Sequence, residues 1–348
     1  MPARFILLML LTLPWLTTSV AAEQFARVVT IGGTFANMPV DARGEAMGLA
    51  TTVNPTGPTA FWWNPAPLPE SDRVMVSYTD WPHIMDSLKW RPMAIRASSG
   101  NLTYGYLWGR LSSDPILIRT GYEPDGNGTY TEASSNLHQF SFAADLIPWL
   151  ADESSAWQWT VGTNARLYYE SLAEQSTSAW DLDLGTSLAW RLTDGEDGDI
   201  RLHGSAMVRN LTRGTFDTEN TSSALPRYYH FGLSLEVGAG PIWHGSRALA
   251  VTVSHAWRRD YDDIHYNYDS EHLGVEMVVG GIASLRTGHR TRGFYADDGS
   301  SWGAGLQYRF DWGWGIRAAV DYARQDLDSV FGEYGMDYWT FTAGFDLP

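Results

Sequence analysis

The sequence predicts an all-β fold, a transmembrane antiparallel β-barrel of about 14 strands with an N-terminal plug segment in its lumen. Apolar and polar residues alternate with a period of two over many stretches, as they do when successive strand side chains point to opposite faces. These stretches are long, and tryptophan and tyrosine lie near their ends. An irregular segment that is rich in proline and glycine precedes them.

The alternation is clearest in residues 156–192. The apolar phase consists of Trp157, Trp159, Val161, Ala165, Leu167 and Tyr169, followed by Trp180, Leu182, Leu184, Leu188, Trp190 and Leu192. The other phase is polar and includes Asp181 and Asp183. Each stretch exceeds the about 9–11 residues that a tilted strand needs to cross a bilayer. Trp180 and Trp190 stand where the aromatic girdles of a membrane barrel lie.

The composition favours a membrane barrel and argues against several other classes of protein. The 348 residues include 17 Trp and 17 Tyr but a single lysine, Lys89, which is unusual for a soluble secreted domain. Cysteine is absent, so disulfides and thiolate metal sites are excluded. The formal net charge of −16 argues against a nucleic-acid partner, because nucleic-acid-binding proteins carry basic patches. After the N-terminus, no apolar run approaches the length of about 18 residues that a transmembrane helix needs.

Residues 1–22 are predicted to be a secretory signal peptide that directs Sec-type export. Arg4 supplies the positive charge, residues 5–16 form the apolar core, and residues 20–22 (VAA) are a small-residue cleavage signal. The mature chain is then expected to begin near Glu23.

Residues 23–72 are predicted to be a plug, or hatch, packed in the lumen, and residues 73–348 are predicted to form the barrel. Prolines that are incompatible with central strands stand at positions 55, 58, 65, 67 and 69. The aromatic cluster of Phe61, Trp62 and Trp63 argues against disorder, because disordered segments are poor in aromatic residues. A long irregular segment with such a composition is typical of a functional element.

After this segment the sequence predicts fourteen strands, an even number, as single-chain bacterial barrels have. They span residues 73–80, 89–98, 101–111, 136–146, 156–170, 178–193, 199–210, 227–237, 247–258, 270–279, 282–292, 301–310, 313–324 and 336–346. The connections alternate between short turns and outer loops such as 112–135, 211–226 and 325–335, although 147–155 and 238–246 are longer than this alternation predicts. A soluble antiparallel sandwich also alternates, but its strands average about five or six residues.

No group of residues indicates an enzyme, a cofactor or a metal site. GSSWG at 299–303 fits G-x-S-x-G, but the nucleophile elbow needs a strand-to-helix turn, whereas this motif enters a predicted strand. The nine histidines lack paired ligand spacing, and His255, His265 and His272 around an outer loop are interpreted as solvated. The acidic turn 194–199 lacks the twelve-residue pattern of a calcium loop. We therefore expect a non-catalytic protein without a cofactor.

Charged residues of both signs fall on the polar phase of the strands and are predicted to line the lumen. They are Arg166, Glu170, Arg191, Arg209, Glu236, Arg258, Arg309 and Arg317. Such residues either set the selectivity of a pore or pair with one another and hold the plug. Because both signs are present, the pattern indicates neither a simple anion pore nor a simple cation pore.

ARGEAMGL at 42–49 and FWWNPAPL at 61–68 resemble the N-terminus of the PorV/PorQ-like outer-membrane proteins, which belong to the superfamily of the long-chain fatty-acid transporter (FadL). The family pattern is a glycine-rich GARAMGMGGA run followed by a WNPAGL-type motif. The matching residues are Gly44, Ala46, Met47 and Gly48 in the first part, and Trp63, Asn64, Pro65, Ala66 and Leu68 in the second. Patchy similarity continues through 208–236, 272–291 and 302–310.

The resemblance implies a barrel of the Gram-negative outer membrane whose N-terminal hatch admits hydrophobic or amphipathic small molecules. In the alternative, PorV-like role, the barrel is a shuttle or anchor for secreted proteins in a type IX-like system, and the sequence does not choose between the two. The implied partners are outer-membrane lipid, a hydrophobic small-molecule ligand, secreted protein cargo and, during biogenesis, the barrel-assembly machinery. The aromatic final strand resembles the signal by which that machinery recognises barrels.

The resemblance and the side-chain chemistry also suggest roles within the plug. The aromatic residues 61–63 would form an apolar platform near the lumen, and Asn64 and Pro65 would fix the hatch through side-chain hydrogen bonds and a locked φ. The plug glycine motif consists of Gly44, Met47 and Gly48. Ordinary packing of a plug explains the same residues equally well.

Overall fold

The computed structural model describes residues 35, 38–70, 72–84, 88–117, 128, 130–150, 156–172, 175–195, 197–217, 222–243, 246–261, 269–292, 298–311, 315–329 and 332–346. The predicted signal peptide, residues 1–22, lies outside the described residues, as do the first part of the predicted plug, residues 23–34, and His265.

Fourteen strands form a closed antiparallel barrel, which confirms the predicted fold class. Each strand pairs with the barrel strands that precede and follow it in the sequence, and the last strand pairs with the first. This closing pair runs from Val74↔Phe345 to Asp80↔Trp339. Because a closed barrel has no free edge, each of these strands has backbone hydrogen-bond partners on both sides.

The barrel strands are β1 Val74–Ile84, β2 Leu88–Ser99, β3 Leu102–Ser113, β6 Ala133–Asp145, β7 Trp157–Leu172, β8 Gln175–Asp194, β9 Gly198–Arg209, β12 Arg227–Trp243, β13 Ser246–Tyr261, β14 Asp269–Val279, β15 Ala283–Arg292, β16 Asp298–Asp311, β17 Gly315–Ser329 and β18 Gly332–Asp346. Each predicted strand overlaps one of them. Two short hairpins lie between barrel strands and consist of β4 (Ile116–Leu117) with β5 (Tyr130–Thr131), and β10 (Thr215–Asp217) with β11 (Ser222–Ala224).

The described helices are short. They are α1 (Ala42–Ala46), a 3-10 helix (Ala50–Thr52), α2 (Ala60–Trp63) and α3 (Ile147–Leu150). None of them is long and apolar enough to cross a membrane.

The two ends of the barrel have different connections. We call the end at which β1 begins and β18 ends the turn end, and the opposite end, which carries both hairpins, the loop end. At the turn end, β2 and β3 are joined by residues 100–101, β14 and β15 by residues 280–282, and β8 and β9 by residues 195–197. The longer turn-end connection after β6 contains α3.

The connection predicted at 325–335 is instead mostly strand. β17 and β18 remain paired as far as Ser329↔Gly332 and form a two-stranded ribbon at the loop end. The exposed Arg324 pairs there with Asp326 (Nε–Oδ1 3.1 Å) and Asp337 (Nη1–Oδ1 3.7 Å). Polar residues stand on both phases of this part of β17, at Gln325, Asp326, Asp328 and Ser329, so the alternation of apolar and polar residues does not reveal the ribbon.

The side chains of the wall alternate between its two faces, as predicted. On β8, Trp180, Leu184 and Trp190 are exposed on the outside, whereas Asp181 and Asp183 are buried inside. Exposed large apolar side chains surround the whole barrel and include Met93, Phe140, Phe231, Leu285, Trp302 and Phe341. Monomeric soluble proteins rarely expose so continuous an apolar surface.

The buried apolar cluster lies inside the barrel rather than outside it. The Phe35 ring packs edge-on against Tyr168, with 5.8 Å between ring centroids, and 6.3 Å from the ring of Trp90. Phe216 of β10 and Leu225, which directly follows β11, belong to the same cluster. The core of the molecule is therefore the filled lumen, and the N-terminal segment supplies much of it.

Candidate functional site

The N-terminal segment lies against the inner face of the barrel wall. We call residues 38–54 the first arm and residues 59–66 the second arm. The first arm contacts β1, β2, β9, β12, β18 and the strands from β14 to β16, whereas the second contacts β3, β7, β8 and β9. Together the two arms cross the lumen and meet strands on all sides of it.

Asp41 joins the two arms. Its Oδ1 accepts a hydrogen bond from the backbone N–H of Gly44 (2.5 Å) and so caps the N-terminus of α1. Its Oδ2 accepts hydrogen bonds from Thr59 Oγ1 and from the indole Nε1 of Trp63, both at 2.6 Å. One buried carboxylate therefore starts the helix of the first arm and holds the beginning and end of α2 in the second arm.

The first arm is tied to the wall by a chain of alternating charges. Arg43 of α1 pairs with Glu276 of β14 (Nη2–Oε2 2.7 Å). Arg286 of β15 bridges Glu276 (Nε–Oε1 2.6 Å) and Asp321 of β17 (Nη1–Oδ1 2.5 Å). Each charge is compensated by a neighbour, as a charge away from bulk water requires.

Glu45 is the second ionisable side chain that α1 buries, with 1% of its surface exposed. Burial raises the pKa of its carboxyl above the usual value, and the negative charge of Asp41 adds to this shift. The guanidinium of Arg290, 3.9 Å away, lowers the pKa and only partly offsets the effect of burial. The helix α1 therefore contains one charge that is compensated, on Arg43, and one that is compensated only in part, on Glu45.

The wall contains glycines where the N-terminal segment comes closest. A Cβ added at any of these positions would overlap atoms of the segment. They are Gly105, Gly162, Gly185, Gly232, Gly274, Gly288 and Gly303. Gly288, for example, faces the backbone of Met47 and Gly48, and Gly48 itself has a positive φ of 59°. The inner wall is thus shaped to the segment on seven different strands and on more than one side of the lumen.

Trp62 of the second arm lies between two arginines of the wall. The guanidinium carbons of Arg166 (β7) and Arg209 (β9) are 4.6 Å and 4.7 Å from the indole centroid, within the range of cation–π attraction. Arg166 also pairs with Asp183 of β8 (Nη2–Oδ2 2.8 Å), and Arg209 donates a hydrogen bond to the backbone carbonyl of Trp62. Trp62, both arginines and Asp183 are all buried.

The end of the second arm is fixed by neutral hydrogen bonds. Asn64 is fully buried, and its Oδ1 accepts a hydrogen bond from the N–H of Ala66 (2.9 Å). Its Nδ2 donates to Ser187 Oγ of β8 (3.3 Å) and to the carbonyl of Thr52 in the first arm (3.4 Å). Pro65 lies against Gly162 and Gly185. The role of Asn64 and Pro65 in fixing the hatch stays a prediction.

The segment leaves the lumen at the turn end through a second ionic cluster. Arg96 of β2 pairs with Glu70 (Nη1–Oε1 2.5 Å) and donates to the carbonyl of Leu68. Arg317 of β17 pairs with Asp72 (Nε–Oδ2 2.8 Å), two residues before β1 begins. These contacts connect the segment to the first strand of the barrel.

Solved structures share this architecture, whereas no protein-family model matches the chain and no curated protein matches its sequence. The Ralstonia pickettii toluene transporter TbuX is 12% identical, with a TM-score of 0.50 over 87% of this chain and 97% of that one. The monoaromatic hydrocarbon channel CymD is 10% identical, with a TM-score of 0.50 over 87% and 96%. A Pseudomonas aeruginosa FadL homologue is 10% identical, with a TM-score of 0.48 over 89% and 99%.

The barrel is similar in fold to hydrocarbon transporters. At 10–12% identity this likeness establishes the fold alone. The resemblance to the fatty-acid transporter superfamily, and to its PorV/PorQ-like branch, stays a prediction.

Of the predicted lumen residues, the structure brings three together at Trp62 and Tyr228. Arg166 and Arg209 lie over Trp62, and Arg258 of β13 lies 3.9 Å from the centroid of the Tyr228 ring. The cluster is rich in positive charge and aromatic surface and lies toward the loop end of the barrel.

The other predicted lumen residues lie elsewhere. Arg309 and Arg317 belong to the turn-end cluster around Asp72. Glu236 faces inward, 3.5 Å from Arg201. Arg191 does not line the interior, because β8 passes the turn end there and its side chain, 48% exposed, pairs with Asp194.

Glu170 is half-buried near the loop end of β7, beside a shallow surface depression. It lies on the inward phase of its strand, four residues beyond Arg166 toward the loop end. Among the described residues, no group of three His, Asp or Glu side chains could hold a metal ion.

Sequence reasoning missed two features of this site. Asp41 was not singled out, although aspartate directly before a short helix is a recognised capping signal. The wall glycines, such as Gly274 and Gly303, were also missed. Their signal was present in the sequence, since they occupy the inward, polar phase of long strands, where glycine weakens a strand unless another backbone approaches closely.

Proposed function

We propose that this protein is an outer-membrane barrel that admits hydrophobic or amphipathic small molecules, and that residues 23–72 are a plug that closes its lumen. The plug has to shift or rearrange before a molecule can pass. Residues 61–63, Asn64 and Pro65 would then belong to the moving part, together with the glycine motif of Gly44, Met47 and Gly48.

The membrane location is supported by the outer surface of the wall. Tryptophan, tyrosine, phenylalanine and leucine side chains are exposed on the outside of the barrel. The barrel strands have 10 to 20 residues and are therefore long enough to cross a bilayer. A closed barrel satisfies its backbone hydrogen bonds internally, which lipid requires. An outward apolar band with a polar interior is typical of outer-membrane barrels.

The observation that carries the proposal is the position of the two arms. They contact strands on opposite sides of the lumen, and Asp41 ties them to each other across it. A general aqueous pore would leave this cross-section open, whereas a barrel that transports selected ligands needs a closed resting state.

The names of the similar structures support the ligand class. One is described as a toluene transporter and another as a monoaromatic hydrocarbon channel. By analogy in fold, we propose that this barrel takes up hydrophobic molecules. The PorV-like alternative, a shuttle or anchor for secreted proteins, is not favoured by any of these structures.

Single-channel conductance tests the plug. The refolded mature protein and a form that lacks residues 23–72 are compared in a planar bilayer. We expect the complete protein to be closed and the shortened form to conduct steadily. Steady conductance of both forms would show that the segment does not seal the lumen and would remove the plug from the proposal.

Uptake tests the ligand class separately. Gram-negative cells that carry the barrel are given radiolabelled toluene, with Asp114→Asn as a matched control, because Asp114 forms an exposed ion pair with Lys89 away from the arms. We expect uptake above that of cells without the barrel, equal in the control. Equal uptake with and without the barrel would contradict a role in hydrocarbon entry.

A further inference from the structure

We propose that the outer face of the barrel binds one acyl chain of a membrane lipid in a groove that crosses β8, β9, β12 and β13. This inference rests on the membrane location in the proposed function, but it depends neither on transport nor on the plug.

The groove is a depression of about 280 Å³ in the outward, apolar face of the wall. Its outward-facing lining consists of Leu188, Gly204, Ala206, Phe231, Leu233 and Trp257. Gly204 and Ala206 of β9 form the floor. In the strand register Gly204 lies between Leu188 and Leu233, so the smallest side chains of this region are flanked by large ones.

No neighbour among the described residues requires a glycine at position 204. A Cβ there would have one close neighbour, the Cδ2 of Leu233 at 3.6 Å, which is ordinary contact. At Gly232, on the opposite face of the neighbouring strand, a Cβ would overlap Val53 of the first arm. Glycine weakens a strand interior and often marks a place where a ligand approaches the backbone. The contact with Val53 explains the glycine at position 232, whereas Gly204 leaves room for a molecule outside the chain.

The polar groups of the groove are already engaged. The Thr186 hydroxyl donates to the carbonyl of Thr160 (3.1 Å) and accepts from the indole Nε1 of Trp159 (2.9 Å). The Ser205 hydroxyl points inward and donates to the carbonyl of Thr52 (3.1 Å). A ligand in the groove would therefore find apolar contacts without a hydrogen-bond partner, and a polar group buried there would lose its hydration uncompensated.

An acyl chain fits these conditions. The groove opens directly onto the apolar belt, where Phe231, Leu233 and Trp257 are 43%, 55% and 40% exposed. An acyl chain lying on Gly204 would contact the floor below it and the side chains of Leu188 and Leu233 on either side. It would therefore gain dispersion contacts that a flat part of the apolar belt does not offer. The volume is just below the range of about 300–1,000 Å³ for small-molecule sites, which suits part of a chain.

Photo-crosslinking in vesicles tests the inference. The barrel is reconstituted with a phospholipid that carries a diazirine in its acyl chain, and the adducts are mapped by peptide mass spectrometry. We expect several-fold more adducts on residues 186–188, 204–206 and 231–233 than on the exposed side chains of Leu285 and Leu306. Gly204→Trp fills the floor and should reduce the adducts to the level of those reference positions.

Two further variants keep the test interpretable. Ala206→Phe fills the neighbouring row of the floor if Gly204→Trp does not fold, and Ala165→Trp places the same indole on the exposed outer face of β7 as a matched control. The control should leave the adducts unchanged. Uniform adducts around the belt, or adducts that persist in both filled variants, would overturn the inference.

Other occupants give distinct results that would also overturn it. Crosslinks between two barrels that disappear in Gly204→Trp would assign the groove to a second copy of the chain. Loss of the lipid adducts on addition of toluene would assign it to a small hydrocarbon. Conductance of the same vesicles tests the plug independently, so a failure of the proposed function and a failure of the groove can be told apart.

Discussion

The two arms of the N-terminal segment are held in one lumen by different forces. The first arm brings three charged side chains into the barrel, Asp41, Arg43 and Glu45, and Arg43 is tied to the wall by the ionic chain through Glu276. The second arm, TAFWWNPA, has no charged residue. It is held by the packing of Trp62 against wall arginines and by the neutral hydrogen bonds of Asn64.

The difference determines how each arm responds to a change. A buried ion pair adds little net stability, since desolvation offsets its attraction, but removing one partner leaves an uncompensated charge and is strongly destabilising. Aromatic burial adds stability in proportion to the area removed from water and does not depend on protonation. We therefore expect the first arm to be sensitive to charge and pH, and the second arm to be the more constant anchor.

Hydrogen exchange can measure each arm separately. The amides of Gly48 and Leu49 are hydrogen-bonded within the first arm, to the carbonyls of Glu45 (2.9 Å) and Gly44 (3.0 Å). In the second arm, the amide of Asn64 is bonded to the carbonyl of Ala60 (3.1 Å). If the arms undock independently, their exchange rates will change independently in the variants below.

Glu276→Ala is expected to have the largest effect. It removes the carboxylate that Arg43 and Arg286 share and leaves two guanidiniums without that partner. Breaking a buried pair costs about 3–5 kcal/mol, which corresponds to roughly 10²–10⁴-fold faster exchange at Gly48 and Leu49. The amide of Asn64 should change little.

The matched control for Glu276→Ala is Asp80→Ala, which removes an exposed partner of Arg91 (Nε–Oδ1 2.9 Å). Exposed pairs contribute about 0–1 kcal/mol, so exchange in both arms should stay near that of the unaltered protein. If Glu276→Ala accelerated amide exchange equally in both arms, the segment would undock as one unit. That result would contradict the view that the two arms are held by different forces.

Trp62→Leu should have the next largest effect on amide exchange, and this effect should appear in the second arm. It removes the indole that Arg166 and Arg209 contact and leaves unfilled space between them. From the usual cost of large-to-small substitutions and of cation–π contacts, we expect a loss of about 2–3 kcal/mol in the docking of the second arm. Faster exchange at Asn64 with little change at Leu49 would support the comparison.

Trp302→Leu is the control for Trp62→Leu, because Trp302 faces outward on β16 and is 48% exposed. Its exchange pattern should match that of the unaltered protein. If Trp62→Leu instead released the first arm and left Asn64 protected, aromatic packing would not be the force that holds the second arm.

The two arms also differ in how far the sequence predicted them. The residues of the second arm were singled out in the sequence, because its aromatic cluster and its Asn64-Pro65 motif are local features that resemble a known family. The pairing of Arg43 with Glu276 was not, since the partners are 233 positions apart and their contact depends on the barrel closing around the segment. Local patterns predict strands and motifs, whereas ion pairs across a lumen depend on the register of many strands.

In the barrel wall, too, local sequence patterns were predicted and features that depend on the position of a strand in the barrel were not. The fourteen strands were predicted because each repeats the period-two pattern over its own length. Arg191 was placed in the lumen from its phase alone, but the phase does not show that β8 has already left the interior at that point. The polar ribbon of β17 and β18 was missed for the related reason that pairing beyond the apolar belt needs no apolar residue.

Asn64→Ala is expected to have a smaller effect than Trp62→Leu. It deprives the N–H of Ala66 and the hydroxyl of Ser187 of a partner, which corresponds to about 1–2 kcal/mol. We expect more frequent openings in single-channel records and moderately faster exchange in the second arm. Asn101→Ala, in the turn between β2 and β3, is the control. Unchanged openings, ligand uptake and stability in Asn64→Ala would show that its role in fixing the hatch is wrong.

Glu45→Gln should have the smallest effect and should alter the pH dependence of the first arm. Burial raises the pKa of Glu45, so the docked arm favours the protonated carboxyl. Its stabilising contribution is complete below the ordinary value of 4.5 and is lost as the pH rises through the raised value in the docked arm. Arg290, 3.9 Å away, limits the size of this loss.

The ratio of protection at Leu49 to protection at Asn64, each corrected for its intrinsic exchange rate, reports this loss. We expect the ratio to fall from pH 4.5 toward neutral pH in the unaltered protein and to stay level in Glu45→Gln. Glu271→Gln, which changes a carboxylate with 62% side-chain exposure on β14, should retain the fall. A fall that persists in Glu45→Gln would place the titrating group elsewhere, and the pH sensitivity of the first arm would then not come from the charge that α1 buries.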